Sequence, residues 1–210
     1  MKILSHRGYW ISEEEKNTPV AFSRSFEGNF GLETDIRDYC GDLVIAHDVA
    51  SFGSYSFQSL LELIYRGQDP SFLTLALNIK ADGLVNKLLD ILNKFPAVDY
   101  FAFDMSIPEM RRYLTAGLPV FTRMSEVESS PIWLAESSGV WLDGFDEVWF
   151  SMGVIQDLLS QDKLVCVVSP ELHGRDYMDL WKDLKKFSND SRFYLCTDFP
   201  ETAKAFFSIN

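Results

Sequence analysis

The chain has 210 residues, of which 47% are apolar, and a formal net charge of −12. That length can bury one full core, and the negative charge argues against nucleic acid and anionic lipid as partners. No apolar run is long enough to cross a membrane and the first residues lack a signal-peptide pattern, so we expect a soluble, cytoplasmic protein without a transmembrane segment. The three cysteines are odd in number and far apart, which predicts neither a disulfide framework nor a zinc site.

Short apolar runs alternate with helical patterns along the whole chain. The predicted strands are 3–8, 30–36 with a partner near 43–47, 73–80, 100–105, 120–124, 140–145, 164–169 and 193–198. The predicted helices are 19–26, 57–65, 84–95, 108–116, 132–137, 154–160, 177–187 and 201–207. Eight such units of roughly 26 residues predict an α/β protein whose single domain, residues 1–210, is a (β/α)₈ TIM barrel. The alternative is an open doubly wound sheet, which is disfavoured because no glycine-rich phosphate loop follows a predicted strand.

Reactive side chains stand at the ends of the first two predicted strands, where a barrel places its chemistry. His6 and Arg7 end the first strand. In "GLETDIRD" Glu33 and Asp35 are two residues apart, so they share one face of the second strand. Two carboxylates in a barrel mouth need compensation. A divalent cation and ion pairs with lysine or arginine are the two ways to supply it.

The third strand unit adds an amide and a further cation. In "LALNIK" Asn78 and Lys80 share a face, so the Asn78 amide oxygen can complete an oxygen cage for Mg²⁺ or Ca²⁺, and Lys80 can hold an anion. His47 follows the strand "LVIA" and supplies a second imidazole. Cleavage of a phosphodiester requires this combination of charge neutralisation, an activated nucleophile and a proton donor for the leaving alkoxide.

The motifs "SHRG", "NTPVAF", "ETD", "AHD", "NIK" and "TDFPE" occur in this order along the chain. As a set they resemble the glycerophosphodiester phosphodiesterase family, whose relatives include sphingomyelinase D-type phospholipases of similar barrel fold. The resemblance implies a hydrolase of small or lipid-derived phosphodiesters in which His6 and His47 form the general acid and base pair. It also implies that Arg7 and Lys80 bind the phosphate, and that Glu33 and Asp35 bind the metal.

The sequence departs from the family pattern at several positions. Lys16 precedes the Asn-Thr dipeptide where the family usually has glutamate, and Asn78 stands where a third carboxylate ligand is usual. We expect the loss of that carboxylate to weaken metal binding. The seventh strand ends in "VVSPELHGRD" rather than a Trp-Thr-Val-Asn type of ending, which puts the leaving-group alcohol in doubt. The loop residues Glu171, His173 and Arg175 are predicted to bind the leaving group, and Asp104, Arg123 and Asp143 fall near other strand ends.

Two classes of function stay open on the sequence. One is a metal-dependent phosphodiesterase, with a lyase that releases a cyclic phosphate as a variant using the same residues. The other is a barrel of the same ancestry that binds a phosphorylated ligand without turning it over. His6 and His47 favour the enzyme, because a mere binder needs neither an acid nor a base.

Overall fold

The structure is a computed structural model that describes residues 1–67 and 73–208. Its strands are β1 (Lys2–His6), β2 (Gly31–Tyr39), β3 (Asp42–Ile45), β4 (Tyr55–Ser56), β5 (Thr74–Ile79), β6 (Asp99–Phe103), β7 (Phe121–Met124), β8 (Gly139–Leu142), β9 (Leu164–Val168) and β10 (Phe193–Thr197). Its α-helices are α1 (Pro19–Glu27), α2 (Phe57–Gly67), α3 (Val85–Leu92), α4 (Ile107–Thr115), α5 (Met152–Ser160), α6 (Met178–Leu184) and α7 (Pro200–Ser208). Short 3-10 turns cover Glu13–Glu15, Pro170–His173 and Lys185–Phe187.

Eight of these strands run parallel and close into a barrel. The order around the barrel is β1, β2, β5, β6, β7, β8, β9, β10 and back to β1. The β6–β7 joint is the weakest, since it consists of the bridge between Ala102 and Val120 and a 2.9 Å hydrogen bond from the Ala102 N–H to the Pro119 carbonyl. Strands β3 and β4 are antiparallel and extend the sheet beside β2. The predicted (β/α)₈ barrel is therefore confirmed.

The barrel strands are covered on both faces. On β5, Leu77 and Ile79 pack with the helices, while Ala76 belongs to the cluster inside the barrel. Stacked aromatic rings fill that interior, with Phe101 and Phe121 centroids 3.6 Å apart. These rings plug the centre and separate the polar side chains at the carboxyl ends of the strands, which form the mouth, from the opposite end of the barrel.

The connection from β7 to β8 differs from the sequence prediction. The helix predicted over 132–137 is a series of turns. Trp133 has φ +51°, a left-handed conformation that interrupts any α-helix, and the Ser137 N–H and hydroxyl both donate to the Trp133 carbonyl. This position cannot be recognised from composition, because tryptophan has no preference for a left-handed backbone.

Two strands end earlier than predicted, and this places carboxylates at the mouth. The strands predicted over 100–105 and 140–145 end at Phe103 and Leu142. Asp104, with φ +63°, turns the chain out of β6, and Asp143 is the first residue after β8. None of the helices in the described ranges is long and apolar enough to span a membrane.

Candidate active site

The turn after β1 holds His6 and Arg7 at the mouth. Arg7 and Gly8 have φ +55° and +89°, so the chain reverses immediately after the strand. A side chain on Gly8 would place its Cβ 2.7 Å from the Cβ of Ala21, because α1 packs directly on the turn. The Tyr9 N–H donates to the Ala21 carbonyl at 3.1 Å, and the Asn17 N–H donates to the Arg7 carbonyl at 2.8 Å. Only glycine suits the position after Arg7.

His6 is oriented by a carboxylate from the last strand unit. Its Nδ1 lies 2.7 Å from Oδ1 of Asp198, which follows β10, the neighbour of β1 in the barrel. Its Nε2 lies 4.0 Å from Oε2 of Glu33. Asp198 therefore occupies one ring nitrogen and leaves the other facing Glu33, which with Asp35 we call the acid pair. Sequence reasoning gave Asp198 no role, although it lies in the "TDFPE" motif at the predicted end of the last strand.

Asp35 is buried between two cations. Its Oδ2 lies 3.2 Å from Nε of Arg7, and its Oδ1 lies 3.2 Å from Nζ of Lys80. The side-chain amide of Asn17 also donates to Oδ2 at 2.8 Å. Of the two forms of compensation that the sequence left open, ion pairing is thus present for Asp35. Asn17 begins the "NTPVAF" motif, and the sequence analysis assigned no role to it.

Glu33 has a different environment, although it shares the face of β2 with Asp35. It is buried, and the structure gives it no lysine or arginine side-chain partner within 4.0 Å in residues 1–67 and 73–208. It accepts a 3.2 Å hydrogen bond from the Arg7 backbone N–H. Burial, reinforced by the charge of Asp35, raises the pKa of Glu33 to about 7.

Asn78 lies directly beside Asp35, because the two are register partners on β2 and β5. Within the described part of the chain, Oδ1 of Asn78 is buried without a hydrogen-bond partner, and Oδ1 of Asp35 is buried with only the Lys80 ion pair. No three His, Cys, Asp or Glu residues among those described form a group suited to a metal ion. The possible ligand set is therefore two carboxylates, Glu33 and Asp35, and one amide, which fits Mg²⁺ or Ca²⁺ better than softer metals.

His47 lies in the connection between β3 and β4, where it lines a cleft. The cleft has a volume of about 530 Å³ and is lined by Arg7, Lys16 and Asn17 as well as His47. The side chain of His47 is 45% exposed, and its Nδ1 lies 2.9 Å from Oδ1 of Asp48. The structure thus brings His47 and Arg7 to one cleft, with the imidazole in solvent contact.

Arg37 connects the backbones that carry two of these residues. Its Nε and Nη2 donate to the His47 carbonyl at 3.1 and 3.0 Å, and its Nη1 donates to the Lys80 carbonyl at 3.1 Å. Lys16, which replaces the glutamate usual in the family, lies with Nζ 4.4 Å from the Trp10 ring centroid. The sequence analysis missed Arg37. Its position two residues after Asp35, on the same face of β2, could have indicated a place at the site.

The three predicted residues of the loop after β9 differ in what they contact, and Glu171 contacts the end of β10. Glu171 accepts hydrogen bonds from the hydroxyls of Ser169 and Thr197 and from the Asp198 N–H at 3.2 Å, so its oxygens face the protein. Burial raises the pKa of Glu171. Glu171 thus supports the turn that carries Asp198. Both carboxylate oxygens of Glu171 accept hydrogen bonds from the protein, and its contact with the leaving group stays a prediction.

His173 and Arg175 lie in the connection after β9, which β10 separates from β1 and His6. Nε2 of His173 lies 2.8 Å from Oδ1 of Asp143, and Arg175 donates to the Gly144 carbonyl. The hydrogen bond with Asp143 raises the pKa of His173. The His6–Asp198 and His173–Asp143 pairs therefore each join residues at the ends of neighbouring strands, β1 with β10 and β8 with β9.

Arg123 and Asp104 form the remaining polar group of the mouth. Nη1 of Arg123 lies 3.3 Å from Oδ1 of Asp104, and its Nε donates to Glu128. Burial raises the pKa of Asp104, against the opposing charge of Arg123. These residues line a cavity of about 330 Å³ between the connections that follow β6 and β7.

The architecture defines a (β/α)₈ barrel whose mouth combines buried acids, imidazoles and cations. No protein-family model and no curated protein matches the chain. Among solved structures, it is similar over 99% of both chains to a glycerophosphodiester phosphodiesterase from Agrobacterium tumefaciens str. C58, with 17% identity and a TM-score of 0.72. It is also similar to an Oleispira antarctica phosphodiesterase in complex with the product sn-glycerol-3-phosphate, with 12% identity, a TM-score of 0.72 and coverage of 99% and 97%.

A third similar structure is a Ca²⁺-dependent phosphatidylinositol-specific phospholipase C from Streptomyces antibioticus. It has 8% identity and a TM-score of 0.59, and the match covers 98% of this chain and 95% of that chain. At such identities the likeness is one of fold. The fold is that of glycerophosphodiester phosphodiesterases, in agreement with the resemblance that the sequence motifs indicated.

Proposed function

We propose that this protein is a metal-dependent phosphoric diester hydrolase that cleaves a small or lipid-derived phosphodiester by acid–base catalysis. The observation that carries the proposal is the His6 imidazole, which Asp198 holds at 2.7 Å through Nδ1 while Nε2 faces Glu33. A carboxylate behind an imidazole fixes the tautomer and the ring orientation, as proton transfer at the other nitrogen requires.

The reaction needs two proton transfers. The oxygen of water forms a bond to phosphorus, and the bond from phosphorus to the alcohol oxygen breaks. One imidazole takes the proton of the water, and the other gives a proton to the leaving alkoxide. We assign these roles to His6 and His47, since both lie at the mouth and His47 shares the cleft with Arg7.

Arg7 and Lys80 supply the positive charge for the phosphate. Each lies 3.2 Å from one oxygen of Asp35, and each side chain is about one-fifth exposed. An entering phosphate can therefore reach hydrogen-bond donors of both side chains without a rearrangement of either one. Their present partner, Asp35, keeps them at the mouth before the substrate arrives, which reduces the ordering required on binding.

Glu33, Asp35 and Asn78 would hold the cation. The unsatisfied amide oxygen of Asn78 supports this assignment, because a buried oxygen without a hydrogen-bond donor is costly unless something else satisfies it. A bound Mg²⁺ or Ca²⁺ supplies charge neutralisation of the phosphoryl oxygens. The Ca²⁺ dependence of the similar phospholipase C and the phosphate product in the similar phosphodiesterase support this chemistry.

His173 and Arg175 are proposed to contact the alcohol side of the diester. They lie on the connection after β9, where they contact Asp143 and Gly144 at the end of β8. The loop differs from the usual family ending, so the alcohol need not be glycerol. An alcohol that does not match these two side chains would leave their hydrogen-bonding groups without partners. The loop would thereby favour one substrate over another.

A barrel that binds a phosphate without turnover is the second candidate. The observation in its favour is that Arg7 and Lys80 both form ion pairs with Asp35 and so compensate its charge. Formation of a cyclic phosphate is a variant of the enzyme that the same residues could perform.

A screen of phosphodiesters distinguishes these possibilities. Chelator-treated protein would be incubated with each diester and Mg²⁺, Ca²⁺ or Mn²⁺, and the products would be followed by phosphorus NMR. We expect a phosphomonoester from at least one diester, dependent on added metal and abolished by His6→Ala. A cyclic phosphate would establish the lyase. Binding of the diesters without any product in all three metals would establish the non-catalytic barrel.

A further inference from the structure

The loops around the mouth carry most of the exposed apolar side chains. Eleven large apolar residues are exposed in the described part of the chain, and ten of them lie at the mouth end of the barrel. They occupy connections that follow strands, or the first turn of the next helix. The exception is Tyr65, near the end of α2 at the opposite end. Single exposed apolar residues need no explanation, but their concentration at one end does.

Three of the four most exposed of them lie in the connections that form the proposed phosphate cleft. Ile11 lies in the connection after β1, and Val49 and Phe52 lie in the connection between β3 and β4, with exposed fractions of 72%, 88% and 93%. The same two connections line the cleft that contains Arg7 and His47. We call Ile11, Val49 and Phe52 the apolar rim. A phosphate in the cleft would thus have apolar side chains beside it on both connections.

Charge and apolarity together restrict what can cover the apolar rim. The chain carries a net charge of −12, and Glu13 and Asp48 line the same cleft. An anionic surface would be repelled. A small, water-soluble diester would fill the cleft and leave the apolar rim in water. A zwitterionic lipid offers a phosphodiester head group, apolar chains and no net charge, so it matches the cleft and the apolar rim at once.

We infer that the apolar rim docks on a zwitterionic lipid surface and that the diester enters the cleft from that surface. The inference deepens the proposed function and rests on it for the chemistry at phosphorus. Docking itself needs no turnover, because it depends on Ile11, Val49 and Phe52 and not on the histidines. Binding and catalysis are therefore separable by experiment.

Flotation with lipid vesicles tests the docking directly. Vesicles of phosphatidylcholine alone, and of phosphatidylcholine mixed with phosphatidylserine, would be compared for the wild type, the double variant Val49→Ser/Phe52→Ser and the variant Ile11→Ser. Tyr65→Ser is the matched control, since it removes an exposed apolar side chain at the other end. Circular dichroism and hydrolysis of bis-(p-nitrophenyl) phosphate would accompany each binding measurement.

We expect the wild type and Tyr65→Ser to bind phosphatidylcholine vesicles, and to bind the anionic mixture less. The double variant should bind roughly tenfold less or worse, because two apolar side chains no longer enter the interface. Ile11→Ser should weaken binding to a smaller extent. Hydrolysis of the soluble diester should be the same in all four proteins.

The other outcomes are equally informative. A wild type that hydrolyses the soluble diester and ignores phosphatidylcholine vesicles refutes the lipid surface and leaves the proposed function intact. Vesicle binding without hydrolysis of any diester refutes the proposed function and leaves the docking intact. A dimer in sedimentation velocity that becomes monomeric in the double variant, without vesicle binding, would mean that a second copy covers the apolar rim.

Discussion

Asp198 and His6 are 192 residues apart in sequence and 2.7 Å apart in space. The pairing exists because β10 lies beside β1 when the barrel closes. At the scale of single residues, the proposed chemistry depends on this pair more than on any other contact, because the carboxylate decides which nitrogen of His6 faces the acid pair.

Asp198→Asn should lower turnover by roughly 10² or more while the fold is retained, because an amide can stabilise the wrong imidazole tautomer. The measurement is kcat on the diester found by the screen, with thermal unfolding as a check of the fold. Phe199→Ser is a control at the next residue, where the side chain is partly exposed. Near-normal turnover in Asp198→Asn would mean that His6 does not transfer a proton.

Asn78→Asp should tighten binding of Mg²⁺ or Ca²⁺ by roughly tenfold, because it adds an anionic ligand beside Asp35. Asn78→Ala is the matched control and should weaken binding, since it removes an oxygen without adding charge. Calorimetry on chelator-stripped protein measures both. Weaker binding in Asn78→Asp with an intact fold would assign Asn78 to the substrate instead.

The sequence predicts most of this site, for a physical reason. Glu33, Asp35 and Asn78 are found together because alternation along a strand puts every second residue on one face, and a barrel brings the strand ends to one mouth. Asp198 and Arg37 were missed as participants. Their partners come from distant or unpredicted backbone atoms, such as the His47 carbonyl, and no local pattern encodes such contacts.

At the scale of elements, the turn from β1 into α1 is the tightest connection of the site. Gly8→Ala should destabilise the fold by roughly 3 kcal/mol or more, because the new methyl would meet Ala21 and the backbone has φ +89°. Gly117→Ala is the matched control: it has φ +75° and open space, so we expect a cost of only about 1–2 kcal/mol. Equal losses in urea unfolding would mean that α1 does not press on the turn.

The connection after β9 gives a pH-dependent contribution to stability. Asp143 raises the pKa of His173, so the folded state holds the proton more tightly than the unfolded state does. The extra stability is fully present below the ordinary histidine pKa and is lost as the pH rises through the folded value. The free energy of unfolding should therefore separate the wild type from His173→Asn more at about pH 5.5 than at about pH 8.5. A difference that is the same at both values would contradict the pairing, and Asp143→Asn should abolish the pH dependence.

The elements show where local patterns stop being informative. The strands are covered on both faces and bounded by turns, so the sequence predicts where they occur. The 132–137 segment has a helical composition, but the left-handed backbone of Trp133 interrupts any helix there. The strand ends at Phe103 and Leu142 are likewise set by the backbone of the residues that follow. The prediction of eight units survives these differences, since it depends on their number and order.

At the scale of the whole molecule, the barrel combines a dry aromatic interior with a polar mouth. The rings of Phe101, Phe121, Phe103 and Trp141 fill the centre, so water and substrate meet the chain at the strand ends. The sequence predicts this architecture because each strand alternates with a helical pattern. The central claim is that water attacks phosphorus at this mouth and that His6 transfers a proton in the reaction.

Turnover in ¹⁸O-labelled water tests that claim most directly. Mass spectrometry of the products should find one ¹⁸O in the phosphomonoester and none in the alcohol, and His6→Ala should form little of either product under the same conditions. Label in the alcohol, an unlabelled cyclic phosphate, or undiminished labelling of the phosphate in His6→Ala would contradict the account.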